Sequence, residues 1–152
     1  MNSALRKTEP LETIREMTES DIEAVTVPEG AIFPDPWPRQ SFVEIVEGGD
    51  WIGLVSDAAG TIVAYACILL SAGEMHLANI AVAASHRRKS VASRLMKRIL
   101  ELAEQHRCAM ILLEVRVSNQ GARAFYEREG FTGLYTRPRY YRKPLEDALV
   151  MV

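Results

Sequence analysis

Apolar and polar positions in this chain alternate, recur at helical spacing or run together in separate stretches, and each stretch predicts an element. Leu11 to Met17 (LETIREM) alternates well enough for a first strand. Thr18-Glu19-Ser20-Asp21 offers capping residues for a short helix through Val27. Pro28, Pro34, Pro36 and Pro38 then predict a stiff non-helical loop around Trp37, because proline fixes its own φ and restrains its predecessor. Gln40 to Glu47 resumes a short helix, stopped by Gly48-Gly49. Trp51–Ser56 and Thr61–Leu70 read as strands around the turn Asp57-Ala58-Ala59-Gly60, and Glu74–Val82 as a third after Ser71-Ala72-Gly73. The clearest helix is Ser90–His106, where Ala92, Leu95, Met96, Ile99, Leu102 and Ala103 recur at helical spacing. Met110–Val115 (MILLEV) is nearly all apolar, as expected for a strand covered on both faces. Asn119 can cap a helix over Gly121–Glu129 that ends at Gly130, and Phe131–Tyr141 and Glu146–Met151 are the last two strands.

This order of strand, two helices, three strands, helix, strand, helix and two strands predicts a mixed α/β domain. Glu74–Val82, Ser90–His106 and Met110–Val115 should form one right-handed crossover unit. Residues 1–10 look like a loose leader, and with no internal repeat or linker the expectation for 11–152 is a single domain.

Composition narrows the classes. The 152 residues are 48% hydrophobic and 25% charged, which excludes collagen-like and disordered chains. A net charge of -2 argues against a nucleic-acid coat protein and leaves no basic face for direct nucleic-acid contact. The longest near-continuous apolar run, Ile62 to Leu70, falls well short of the roughly 18 residues of a membrane span. Cys67 and Cys108 cannot build a disulfide framework. The expectation is a cytoplasmic protein without membrane contact, a monomer or weak dimer. His76, His86 and His106 have no metal-ligand spacing with either cysteine, so no metal is expected.

Three segments carry candidate chemistry. Asn79-Ile80-Ala81-Val82 is followed by Arg87-Arg88-Lys89-Ser90-Val91-Ala92 at the start of the long helix. Basic and small residues at a helix N-terminus suit phosphate, although they also describe an ordinary solvated helix start. Glu114 lies near the end of an apolar strand, where burial disfavours its charged form and moves it toward general-base use; a salt bridge to Arg116 is the plainer alternative. Tyr126 sits about two turns beyond Asn119, on nearly the same helix face, and its phenol could protonate a departing thiolate or simply pack beside Phe125. Glu74 and His76 are alternative bases. Strand alternation puts His76, Ala78, Ile80 and Val82 on one face.

The segments NIAV, RRKSVA, LLEVRVSN and FYEREGF, in this order and spacing, resemble the GCN5-related N-acetyltransferase (GNAT) superfamily, and within it the RimI-like bacterial ribosomal-protein N-terminal alanine acetyltransferases. Pro36-Trp37 with Phe42, and Arg139-Tyr140-Tyr141 leading to Glu146-Asp147-Ala148, extend the resemblance from about Ile14 to the end. It implies a central mixed sheet of about seven strands flanked by about four helices, with a splayed strand pair holding acetyl-coenzyme A as co-substrate. It implies that Ile80, Ala81 and Val82 bond the pantetheine arm, that the turn from Arg88 through Ser90, Val91 and Ala92 to Ser93, with Arg87 and Lys89 adding charge, holds the pyrophosphate, and that Asn119 also touches the cofactor. Glu114 matches the general base and Tyr126 the general acid. Trp37, Tyr140 and Tyr141 would flank an acceptor peptide, the N-terminus of an acceptor protein, here a small-subunit ribosomal protein.

One position departs from the family pattern: Ser90 stands where its motif has the first glycine. Serine adds a Cβ that crowds a close backbone approach, which predicts weaker cofactor binding. Two other functions stay open on sequence alone. One is an acetyltransferase of the same fold for a small amine or a lysine side chain. The other is a non-catalytic acetyl-coenzyme A-binding module, suggested by Ser90 and opposed by the presence of both Glu114 and Tyr126.

Overall fold

The alternating segments pair side by side, and the helical ones cover them. A computed structural model describes residues 12–87 and 90–152, so the expected leader, Arg88 and Lys89 lie outside the described residues. The elements are β1 (Thr13–Glu16), α1 (Ile22–Ile32), α2 (Arg39–Glu47), β2 (Trp51–Ala58), β3 (Thr61–Ser71), β4 (Glu74–Val82), α3 (Val91–Gln105), β5 (Met110–Arg116), α4 (Gln120–Arg128), β6 (Gly133–Arg142) and β7 (Leu145–Met151). The strands form a seven-stranded sheet in the order β1-β2-β3-β4-β5-β7-β6. All neighbours run antiparallel except β4 and β5. That parallel pair, joined through α3, is the expected crossover unit.

Side-chain alternation along β3 divides the core between the two faces. Ala64, Ala66 and Ile68 join Leu95, Met96 and Ile99 of α3 and Leu113 of β5. Tyr65 and Cys67 join Val25 of α1 and Phe42 and Ile45 of α2. Full burial of Leu95 or Ile99 contributes about 1.5–3 kcal/mol each. Gly53 shows how closely α2 sits on β2, because a Cβ there would lie 2.9 Å from Ile45 Cγ2 and 3.0 Å from Met17 Cβ. Among the described residues no helix is long and apolar enough to cross a membrane.

Two expectations are corrected. The first helix does not stop at Val27 but runs to Ile32 with Pro28 inside it. Proline there removes one helical N–H, yet the next residue, Glu29, is buried and bonded on several sides, and this tertiary anchoring holds the last turn. Second, even-numbered positions of β4 do not share one face. Cys67 pairs with Asn79 and Ile68 with Leu77, so Ala78 is an extra residue, a β-bulge. Met75 and Leu77 before it, and Ile80 and Val82 after it, face α3, whereas His76, opposite Leu69, shares the other face with Ala81.

Candidate active site

β4 and β5 pair only from Glu74–His76 against Met110–Leu112. Beyond that rung β5 continues in the sheet beside β7, while β4 keeps only β3. The strands therefore part, and the edge of β4 from Leu77 to Val82 is left without a β5 ladder. On the α3 side this opening widens into a cleft of about 660 Å³. Ile80, Ala81 and Val82 form one wall, the first turn of α3 from Ser90 to Ser93 closes one end, and Gly121, Ala122, Phe125 and Tyr126 of α4 form the other wall.

The first-turn N–H groups of α3 have no acceptor within the helix, and the helix dipole makes this end attractive to anions. Arg87, His86 and Arg128 add positively charged or chargeable groups to the same cleft. Ser90 precedes the helix with φ 61° and ψ 16°, the left-handed region where glycine is at ease and serine costs about 1–2 kcal/mol. The backbone therefore keeps the shape a glycine would give it, at a cost to the fold. Ser93 turns its hydroxyl away and donates to Glu129 Oε1 at 2.8 Å, so what it offers the cleft is main chain. Asn119 caps α4, its Oδ1 accepting from Ala122 N at 3.2 Å, and steadies the turn that brings Gly121 and Ala122 to the cleft.

The opposite face of the sheet carries a different chemistry. Glu114 Oε2 lies 2.5 Å from His76 Nε2. Its Oε1 faces the Arg137 guanidinium at 3.6 Å. Arg137 stacks over the Tyr140 ring at 4.7 Å, and Tyr140 meets Tyr141 edge-on at 5.0 Å. Arg116 lies 4.3 Å over Tyr141 and is held by Glu146 and by the carbonyls of Lys143 and Pro144. A bulge in β6 sets Pro138, Arg139 and Tyr140 against Asp147 alone, and Arg139 N donates to the Asp147 carboxylate at 2.9 Å. Burial, and then the Glu114 charge, raise the Tyr140 phenol above its usual range. Burial, then Tyr140 and Glu114, do the same to Tyr141.

Tyr126 is the one candidate in the cleft with an acidic proton and a buried ring. It packs edge-on between Phe125 and Phe131, with centroids 5.4 and 5.9 Å away. Burial alone pushes its phenol up to about 12, so it stays protonated throughout the neutral range.

A family model described as "Acetyltransferase (GNAT) family" matches residues 13–131. The chain belongs to this acetyltransferase family. Among its GNAT relatives is a Bacillus subtilis protein provisionally named a ribosomal protein bS18-alanine N-acetyltransferase, 32% identical over 139 residues, covering 91% of this chain and 92% of that one. The Mycobacterium tuberculosis N-alpha-acetyltransferase RimI is 31% identical over 150 residues, covering 95% and 92%. The crystal structure of the Escherichia coli ribosomal-protein-S18-alanine N-acetyltransferase superposes with a TM-score of 0.85 at 29% identity, covering 93% of this chain and 92% of that one. GNAT enzymes are acyltransferases that use acetyl-coenzyme A, and the residues here fit that ligand. An unpaired strand edge suits an amide-bearing arm, and a basic helix N-terminus suits phosphates. Among the described residues no group of three or more His, Cys, Asp or Glu side chains is placed to hold a metal.

The structure thus gathers Ile80, Ala81, Val82, Arg87, Ser90, Val91, Ala92, Ser93 and Tyr126 around one cleft of this GNAT fold. It places Glu114, Tyr140 and Tyr141 together on the far face of the sheet. Trp37 packs on Phe42 and Trp51 at 6.0 and 6.2 Å, on the α1–α2 side of that same face. Glu74 opens β4 on the exposed surface, opposite Met110 and two residues before His76. The sequence reading missed Arg137, His86, Arg128 and Glu29. Arg128 shares a helix face with Gly121 and Phe125, a spacing visible in the sequence. Arg137 had no such signal, because a bulged hairpin brings it to Glu114.

Proposed function

We propose that this chain transfers the acetyl group of acetyl-coenzyme A to the α-amine of an N-terminal alanine, on a small-subunit ribosomal protein in the cytoplasm. The observation that carries the proposal is the parting of β4 and β5. It leaves a cofactor-sized cleft on one face and a base with aromatic neighbours on the other. The names of its relatives support the choice of acceptor.

Ile80, Ala81 and Val82 would hold the cofactor's pantetheine arm along the free edge of β4, with the first turn of α3, Arg87 and Arg128 at its phosphates. Acetyl-coenzyme A supplies an acetyl thioester: a C–N bond forms to the acceptor amine, the C–S bond breaks, and coenzyme A leaves as a thiol. The Glu114 carboxylate, hydrogen-bonded to His76, takes the proton that the amine sheds. The acceptor α-amine has a reference pKa of about 7.7–8.0, so this base has most to do at lower pH. N–H groups along the open edge of β4 are placed to stabilise developing negative charge on the carbonyl oxygen. Tyr126, protonated and buried beside the cleft, donates toward the sulfur. Tyr140 and Tyr141 on one side and the Trp37 loop on the other flank the peptide, so recognition is of a free tail and not of RNA. Holding both substrates in line supplies much of the acceleration.

The test is mass spectrometry of a one-pot reaction containing acetyl-coenzyme A, a peptide with a free N-terminal alanine, an N-blocked peptide with an internal lysine, and a small primary amine. Acetylation of the alanine terminus alone is expected. Modification of the lysine or the small amine instead would replace the proposed acceptor, and cofactor binding with no transfer would favour a non-catalytic module.

A further inference from the structure

Glu29 is a carboxylate that this mechanism leaves unused, and it is 1% exposed. It lies in the last turn of α1, beyond Pro28. Its Oε1 accepts from the Tyr65 hydroxyl at 2.7 Å and from Asn79 Nδ2 at 2.9 Å. Its Oε2 accepts from the backbone N–H of Trp37 at 2.9 Å. Carboxylates are rarely buried so deeply, and each bond here offsets part of the desolvation cost.

The donors come from separate parts of the site. Tyr65 stands in the middle of β3. Asn79 immediately precedes Ile80, the first β4 residue on the cofactor cleft. Trp37 lies in the loop assigned to the acceptor. In the run Pro36-Trp37-Pro38 it supplies the sole backbone N–H, since neither proline has one. One carboxylate thus ties the acceptor-side loop to the strand that lines the cofactor cleft.

We propose that Glu29 is a positioning residue that sets acceptor affinity by fixing the Trp37 loop against β4. The proposal rests on the assignment of the Trp37 side of the sheet to the acceptor peptide. Trp37 keeps its ring contacts with Phe42 and Trp51 when Glu29 is lost, but its backbone is freed from the sheet. An acceptor meeting a displaced loop binds less well, while the cofactor cleft, built from β4, α3 and α4, keeps its walls.

Steady-state kinetics with an alanine-terminated peptide would compare wild type with Glu29→Ala, Glu29→Asp and Glu29→Gln. Glu29→Ala should raise KM for the peptide by about tenfold or more, while KM for acetyl-coenzyme A moves by less than about twofold. Glu29→Gln should stay near wild type. Its carbonyl can accept from Trp37 N–H, and the hydroxyl of Tyr65 and the amide of Asn79 can each turn to accept from its NH2. If the alanine variant does not fold, Glu29→Asp keeps the charge but is one methylene shorter, and should show the same selective rise in peptide KM. A purely structural role would lower the active fraction and apparent kcat with both KM values unchanged, and that result would overturn the inference. Wild-type enzyme that binds acetyl-coenzyme A yet acetylates no peptide amine would overturn the acceptor assignment and this inference together.

Discussion

The His76 imidazole meets the Glu114 carboxylate at 2.5 Å just where β4 and β5 stop pairing. His76 forms the last rung, against Leu112, and Glu114 is the next residue along β5 on the same face. The proposed base therefore stands at the mouth of the gap between the strands, with the proposed cofactor cleft on the far side. Sequence reasoning treats His76 as a competitor of Glu114, whereas the geometry makes it a partner.

Glu114→Gln keeps the shape of the side chain and removes its basicity. Below the acceptor amine's pKa of about 8 the variant should lose on the order of 100-fold in kcat. The deficit should shrink toward pH 9, where the amine is already neutral, and the affinity for acetyl-coenzyme A should hardly change. Paired pH–rate profiles and a cofactor titration check this, and equal profiles would remove Glu114 from proton transfer.

Tyr126→Phe retains the edge-on packing between Phe125 and Phe131 and deletes only the hydroxyl. It should fold normally and lower kcat about 10- to 100-fold, with KM for acetyl-coenzyme A little changed. Because burial holds the phenol near 12, wild-type kcat should show no loss of an acid up to about pH 10. A falling limb near pH 9 that vanishes in the phenylalanine variant would contradict this.

Ser90→Gly relaxes a left-handed residue at the phosphate end of the cleft. The variant should bind acetyl-coenzyme A a few-fold more tightly and melt at a higher temperature, by a net of about 1 kcal/mol of stability, because glycine's greater freedom in the unfolded chain offsets part of the relieved strain. Isothermal titration and thermal melts test both halves. Weaker binding in the variant would mean that the serine hydroxyl itself holds phosphate.

Asp21 gives the fold an acid-sensitive joint. The Arg15 guanidinium, with help from Thr18, holds its carboxyl down at about 2. A group whose folded pKa is depressed contributes stability above its unfolded value of about 3.9, and that stability is lost as pH falls through the folded one. Thermal melts of wild type and Asp21→Asn should therefore differ most at pH 5–7 and converge as pH approaches about 2. A gap that persists at pH 2 would assign the effect to packing instead.

Residues whose partners are close in sequence were legible, and those whose partners are distant were not. Helical spacing located α3 and apolar runs located β4 and β5, because these are local patterns, whereas the parting of those two strands was implied only by the family resemblance. The extra residue at Ala78 leaves no trace in composition, so alternation alone put His76 on the face of Ile80. Pro28 argued for a loop, and only the deep burial of Glu29 explains why the helix continues. Glu29 itself was invisible because Tyr65 and Asn79 lie 36 and 50 positions away. Arg137 was hidden in the same way by the β6 bulge.

The bulge at Ala78 gives β4 one residue more than its ladder with β3 needs. Cys67 already pairs with Asn79 and Ile68 with Leu77, so removing Ala78 would leave Leu77, Ile80 and Val82 facing α3 and Asn79 facing Glu29. A residue added or removed beyond Asn79, with no bulge to take it up, would instead exchange inside for outside along the rest of the strand. The strand that lines the cleft thus has one spare residue at Ala78 and none between Ile80 and Val82.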